Sequence, residues 1–188
     1  NLAGPMSIVP GAEACKNSRT ALEDVLSAMH RARLCRRSYA VAIGGGAVLD
    51  VVGFAAATAH RGVRLVRLPT TTLAQADSGI GVKNGVNLFG KKNYLGTFDV
   101  PSGVINDERF LVSLSDRDWR CGFSEAVKVS LVKDRGLFEQ IVRDAVRIVR
   151  RDLQAARPVI QRSCRLHFEH IVGGGDPFER HAARPLDF

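Results

Sequence analysis

Apolar positions along the first two thirds of the chain come in short runs separated by glycine and proline. Val41 to Ile43 is an apolar run that leads into Gly44-Gly45-Gly46, and the stretch from about Ala47 to His60 is almost wholly apolar. That order predicts a strand, a glycine loop and a helix, with Ala55-Ala56-Ala57 small enough to pack closely on a sheet. Leu65 to Leu68 predicts a second strand stopped by Pro69, and Val104 to Asn106 a third, after the breaker Pro101-Ser102-Gly103. Ala21 to Arg33 has the spacing of an amphipathic helix. Short strands alternating with helices predict a parallel α/β sheet over residues 1–114.

From about Trp119 the period changes. Glu125 to Val132, Leu137 to Val149 and Val159 to Ile171 are all helical in spacing with no strand between them, and Gly173-Gly174-Gly175 ends the last. Residues 115–188 are therefore expected to form a second, all-helical domain.

Composition narrows the picture. An apolar fraction of 45% in 188 residues is enough for a real core. The net charge of +8 comes mostly from arginine, and Arg143, Arg147, Arg150, Arg151, Arg157, Arg162 and Arg165 fall in one largely helical stretch. Such a run is either a nucleic-acid stripe or a solvated helix face. The absence of stacking aromatics and the presence of Asp144, Asp152 and Glu169 favour the solvated face, with no nucleic-acid partner. A diffuse positive field also draws anionic substrates. Cys15, Cys35, Cys121 and Cys164 are widely and irregularly spaced, which excludes a zinc knuckle and predicts reduced thiols in a cytoplasmic protein. No segment reaches the roughly 18 apolar residues of a membrane span. Residue 1 is Asn, so the chain is expected to start inside something longer or to have been processed.

Four constellations carry candidate chemistry. Gly44-Gly45-Gly46 before a helix lets backbone N–H groups meet a phosphate, but Leu49 stands where the third glycine of a dinucleotide fingerprint belongs. Nucleotide binding and a plain tight turn both remain open on spacing. Lys83, Lys91 and Lys92, with Asn87 and Asn93, crowd a glycine-punctuated segment read as a loop, residues 79–96; it is either a phosphate and hydroxyl site or a solvated surface. Glu125 and Lys128 share a helix face, as an ion pair or as a metal carboxylate beside a phosphate-binding ammonium. His167 and His170, also three apart, are either metal ligands or one packed and one exposed imidazole.

Taken in order, seven segments form a specific pattern: Ala42 to Asp50, Arg61-Gly62, Pro69-Thr70-Thr71, Asp77-Ser78, Lys83, Gly90-Lys91-Lys92-Asn93 with Gly96, and Gly122 to Lys128. The chain resembles the dehydroquinate synthase superfamily of sugar-phosphate cyclases from about residue 9 to 188. That resemblance implies a Rossmann-like parallel-sheet nucleotide domain, with its first strand missing, followed by an incomplete all-helical metal-binding domain. It implies NAD, a divalent metal (Zn or Co), a phosphorylated sugar substrate and a homodimer. Glu13 and Lys16, in Pro10-Gly11-Ala12-Glu13-Ala14-Cys15-Lys16, match the family's cofactor-ribose contacts, Gly44, Gly45 and Gly46 its pyrophosphate turn, and Asp50 a neighbouring cofactor contact. Thr70, Thr71, Lys92 and Phe110 to Ser113 match further cofactor positions. Asp77, Lys83, Asn93 and Lys128 match substrate positions, and Arg61 an arginine that reaches the phosphate in the neighbouring subunit. Glu125 matches a zinc ligand, and Glu179 a proton acceptor. Asp77, Lys128 and Glu179 are the catalytic candidates, and Arg184 and Asp187 join the substrate set.

The departures bear on substrate and activity. Family members continue past the equivalent of Leu186-Asp187-Phe188 into Gly-His-x-x-Gly-His, so the metal histidines fall beyond Phe188 and the 188-residue chain alone is expected to be inactive. A family lysine is His167, a family arginine falls at Ala183 beside Arg184, and a family asparagine is Asp187. These changes, with Gly81-Val82-Lys83 and Gly85-Val86-Asn87, point to a seven-carbon sugar phosphate lacking the carboxylate of the dehydroquinate precursor. The expected activity is carbon–oxygen lyase chemistry: NAD-assisted phosphate elimination and closure of a carbocycle. The alternatives are a metal-dependent polyol or glycerol-phosphate dehydrogenase of the same fold, and a non-catalytic nucleotide-binding protein.

Overall fold

A computed structural model describes residues 6–173. The described residues divide into two compact units, 6–70 with 82–107, and 71–81 with 108–173. The segment 71–81, read from sequence as part of the α/β region, thus packs with the helical unit, and the α/β unit ends at Asp107 rather than at 114.

In the first unit, β1 (Tyr39–Gly44), β2 (Arg64–Pro69) and β5 (Gly103–Val104) form a parallel sheet in the order β1-β2-β5. Ala40 and Ala42 are the buried side chains of β1, and their small size admits the helix α3 (Gly46–Thr58). That helix is apolar on nearly every side because it also packs on β2, on α2 (Arg19–Arg31) and on the strand β3 (Lys83–Leu88). Before α2 lies the single-turn helix α1 (Ala14–Asn17), and Ser18 caps α2 by accepting from the Ala21 N–H.

The loop expected over residues 79–96 is a hairpin instead. β3 pairs antiparallel with β4 (Lys91–Phe98) around Phe89-Gly90, both of which have positive φ, the geometry of a two-residue hairpin turn. The signal is hidden in the sequence because Lys91 to Gly96 are all exposed, so β4 shows no apolar alternation.

The second unit holds α4 (Asp116–Cys121), α5 (Phe123–Lys133), α6 (Arg135–Val149) and α7 (Leu153–Gly173). Its core gathers Leu111, Trp119, Phe123, Ala126, Val129, Leu137, Ile141, Ile148, Val159 and Ile160. The Trp119 indole N–H donates to Ile148 O at 2.7 Å, which satisfies its one polar group inside the core. Asp134 caps α6 by accepting from the Leu137 N–H at 2.9 Å, and that bond, helped by Arg162, holds its carboxyl below the usual range. A cap of this kind contributes about 1 kcal/mol. The helix α7 begins six residues earlier than expected and runs through Pro158. Asp152 accepts from the Gln154 N–H, and Arg157 grips Glu108 through two bonds of 2.6 Å, so the turn before the proline is held from outside.

The arginine run is absorbed largely by ion pairs. Arg143 and Arg147 meet Asp144, Arg147 also meets Asp152, Arg151 meets Asp116, Arg157 meets Glu108 and Arg162 meets Asp134. Among the described residues no helix is long and apolar enough to cross a membrane.

Candidate active site

The glycine turn sits where the sheet hands over to α3. β1 ends at Gly44, Gly45 is the N-cap with φ −75° and ψ 173°, and no side chain caps the helix start. The Thr70 N–H donates to Gly44 O at 2.9 Å, continuing the sheet bond to the end of the strand. A Cβ on Gly44 would lie 2.7 Å from Val48 Cβ, so strand and helix approach too closely for a side chain there. An uncapped helix N-terminus floored by glycine backbone suits a dinucleotide's pyrophosphate.

Beside it, one polar network joins residues far apart in sequence. The Lys16 ammonium, 4% exposed, donates to Asp50 Oδ2 and to Asn93 Oδ1, each at 2.5 Å. An ammonium stripped of water costs several kcal/mol unless paired, so these two acceptors are what permits its burial. Burial pushes the Asp50 carboxyl above its ordinary value, and the bond to Lys16 draws it back only in part. Glu13 Oε1 accepts from Asn87 Nδ2 at 2.7 Å, and Asn87 Oδ1 accepts from the Asn93 N–H at 2.8 Å. Glu13, Lys16, Asp50 and Asn93 are thereby brought together. Lys92 is exposed near the start of β4, and Lys83 begins β3.

In the second unit, Asp77 lies in a π-helical turn, Ala74–Ser78, whose start is capped by Thr71 Oγ1 accepting from the Ala74 N–H. Single π-turns interrupt the regular helical ladder and recur at functional positions. His167 Nδ1 of α7 is 3.3 Å from Asp77 Oδ1, with both side chains at most a tenth exposed. His170 Nδ1 instead lies 2.8 Å from Lys133 Nζ, so the two histidines do not converge on one site. Glu125 Oε2 is 2.7 Å from Lys128 Nζ. Among the described residues no group of three His, Cys, Asp or Glu side chains comes together to hold a metal ion. One carboxylate does not by itself hold a catalytic zinc, which takes about three protein ligands. Phe110 and Ser113 lie on a 3-10 turn, Glu108–Ser113, where Ser113 Oγ donates to Phe110 O. Arg151 secures that turn by donating to the carbonyls of Leu111, Val112 and Leu114. Glu179, Ala183, Arg184 and Asp187 lie outside the described residues.

Several structural partners escaped the sequence reading. Arg67 is buried in the first unit and donates to Asn84 Oδ1. Burial lowers its guanidinium pKa, and Asp50 and Asp99 oppose that shift. Thr72 is buried and its hydroxyl lies within hydrogen-bond reach of both Asp118 O and Trp119 O. A buried arginine in a strand was the one visible signal; Arg67 breaks an otherwise apolar run.

A parallel sheet with a glycine turn leading into its first crossover helix, together with an all-helical unit, defines a Rossmann-like α/β protein. The chain belongs to the 3-dehydroquinate synthase family, matching the family description "3-dehydroquinate synthase N-terminal" over residues 6–121. It is 39% identical over 165 residues to the 3-dehydroquinate synthase of Sulfolobus acidocaldarius, covering 87% of this chain and 46% of that protein. It is also similar to the solved 2-epi-5-epi-valiolone synthase of Streptomyces hygroscopicus subsp. jinggangensis 5008, which has NAD+ and Zn2+ bound. There the TM-score is 0.83 and the identity 35%, over 88% of this chain and 46% of that one. A 2-deoxy-scyllo-inosose synthase complexed with carbaglucose-6-phosphate, NAD+ and Co2+ matches with a TM-score of 0.60 and 35% identity, over 64% of this chain and 33% of that one. The chain spans about half the length of the curated relatives it matches.

Proposed function

We propose that the protein acts as a sugar-phosphate cyclase, eliminating phosphate from a phosphorylated sugar and closing a carbocycle, with NAD as a recycled cofactor. The observation that carries this reading is the Lys16 network, which gathers cofactor-matched Glu13, Lys16 and Asp50 with substrate-matched Asn93 beside the glycine turn. Bound NAD supplies a reversible oxidation of a ring hydroxyl, which acidifies the neighbouring C–H and makes elimination feasible. Gly44 to Gly46 seat its pyrophosphate, Glu13 holds a ribose hydroxyl, and Thr70, Thr71, Lys92 and the Phe110–Ser113 turn contact the remainder. Lys83, Asn93 and Lys128 bind the sugar and its phosphate, Asp77 orients a hydroxyl, and Glu179 accepts a proton. Glu125 contributes one carboxylate toward a divalent metal, zinc or cobalt. The four free cysteines support a reducing, cytoplasmic setting.

The substrate class follows from His167. A substrate carboxylate wants a cationic donor, best a lysine or a bidentate arginine. His167, at the lysine position, is buried and turned onto Asp77. The arginine position is Ala183, which leaves Arg184 as the neighbouring cation, and Asp187 adds a negative charge where the family has an amide. The proposed substrate is a seven-carbon sugar phosphate without a carboxylate. Incubating the whole protein with NAD, zinc and either that sugar or the carboxylate-bearing dehydroquinate precursor, and measuring inorganic phosphate, tests it. Faster release from the carboxylate-free sugar, by about tenfold for one lost ion pair, is the expected result. A preference for the precursor would make this an ordinary dehydroquinate synthase.

The protein is further proposed to be a homodimer in which Arg61 serves the partner's phosphate site. His60, Arg61 and Gly62 have successive φ values of 52°, 62° and 126°. Left-handed conformations at non-glycine residues cost about 1 kcal/mol or more each and cluster at functional segments. Light scattering of the active protein should give twice the protomer mass; an active monomer would end this part of the reading.

A further inference from the structure

Asn87 makes three bonds with one side chain. Its Nδ2 donates to Glu13 Oε1 at 2.7 Å and to Asn17 Oδ1 at 2.8 Å, while its Oδ1 accepts from the Asn93 N–H at 2.8 Å. A backbone N–H can only donate and a carboxylate can only accept, so the orientation of the amide is unambiguous. The ladder of the hairpin is irregular at this point: Val86 pairs with Leu95 and Leu88 with Lys91, leaving Asn87 in the gap. Across that gap Asn93 has φ 53°. The Asn87 amide therefore replaces the ladder partner that the bulge removes from the Asn93 N–H, and the bulge turns the Asn93 side chain onto Lys16.

We infer that Asn87 is a positioning residue that locks Glu13 and Asn93 together and so couples the dinucleotide contact to the sugar contact. The roles of Glu13 and Asn93 rest on the cyclase reading; the geometry of the lock does not. Only an amide serves all three partners. Asp can still accept from the Asn93 N–H but has no donor for Glu13 and adds a like charge beside it. Ala serves none of them.

The test compares wild type, Asn87→Asp and Asn87→Ala by calorimetric titration with NAD, by amide hydrogen exchange at Asn93 without ligand, and by thermal melting. Asn87→Asp should keep the Asn93 amide protected and still bind NAD about tenfold more weakly. Asn87→Ala should lose a similar factor in affinity and also expose the Asn93 amide, with exchange at least about tenfold faster. Wild-type NAD affinity in both variants would overturn the inference. So would an affinity loss that merely tracks melting temperature, with Asn93 exchange equal in the two variants. If wild type itself does not bind NAD, the dinucleotide reading falls separately, and Asn93 exchange still decides whether Asn87 holds the bulge.

Discussion

Replacing Gly122 with alanine should destabilise the protein by about 3 kcal/mol, the upper range for forcing atoms into a packed interior. A Cβ built at Gly122 falls 2.1 Å from Thr72 Oγ1 and 2.2 Å from Leu73 N, and the second of these is backbone that no side-chain rotation moves. Thr72 cannot yield freely either, since its buried hydroxyl bonds the carbonyl end of α4 at Trp119 O. Gly122 is the junction between α4 and α5, so the clash lies where the two helices meet the segment that carries Asp77. Gly173→Ala is the matched control, because nothing lies within 4 Å of a Cβ there. Urea unfolding should show a clear fall in midpoint for Gly122→Ala and a change within about 1 kcal/mol for Gly173→Ala. Equal midpoints would mean that residues 72–73 do not pack on this junction.

The Gly122 contact also illustrates what sequence reading can reach. The glycine stood out as the first residue of the Gly-Phe-Ser-Glu segment, yet its reason is a threonine hydroxyl fifty residues away, which no local pattern encodes. Features governed by neighbours were legible: β1, the glycine turn and α3 follow from an apolar run, a breaker and an apolar helix in direct succession. The hairpin was not, because β4 is solvent-exposed along most of its length and its two lysines, with Gly90 before them and Gly96 after, resemble a loop. The start of α7 was misplaced because Pro158 ordinarily marks a boundary, whereas here the turn before it is held by Asp152 and by Arg157 on Glu108. Spacing singled out the glycine turn, the lysine–asparagine segment and the Glu125/Lys128 pair but left their function open, and the family resemblance supplied the roles. Their meeting is long-range: Lys16 reaches across 34 residues to Asp50 and 77 to Asn93. His167 could be flagged as a departure from sequence alone, but only packing shows that it faces Asp77 while His170 faces Lys133.

The second large effect concerns the cofactor. Gly45→Asp should abolish NAD binding while leaving the fold intact, and the two halves of that statement have separate causes. At φ −75° and ψ 173° the N-cap backbone accepts any L-residue, and Asp is among the best N-cap side chains, because its carboxylate satisfies first-turn N–H groups. The substitution therefore fills with the protein's own anion the place proposed for the pyrophosphate. Two like charges about 4 Å apart near a protein surface repel by about 4 kcal/mol, so affinity should fall by at least about a hundredfold. Melting temperature should be unchanged or slightly raised.

Calorimetric titration of NAD into wild-type and Gly45→Asp protein, with melting curves on the same samples, is the most direct test of the central proposal, that the glycine turn of this chain seats the dinucleotide of a cyclase. Saturable binding to wild type, lost in a variant that melts no lower, is the predicted result. Equal affinity in both proteins, or no binding to a folded wild type, would contradict it.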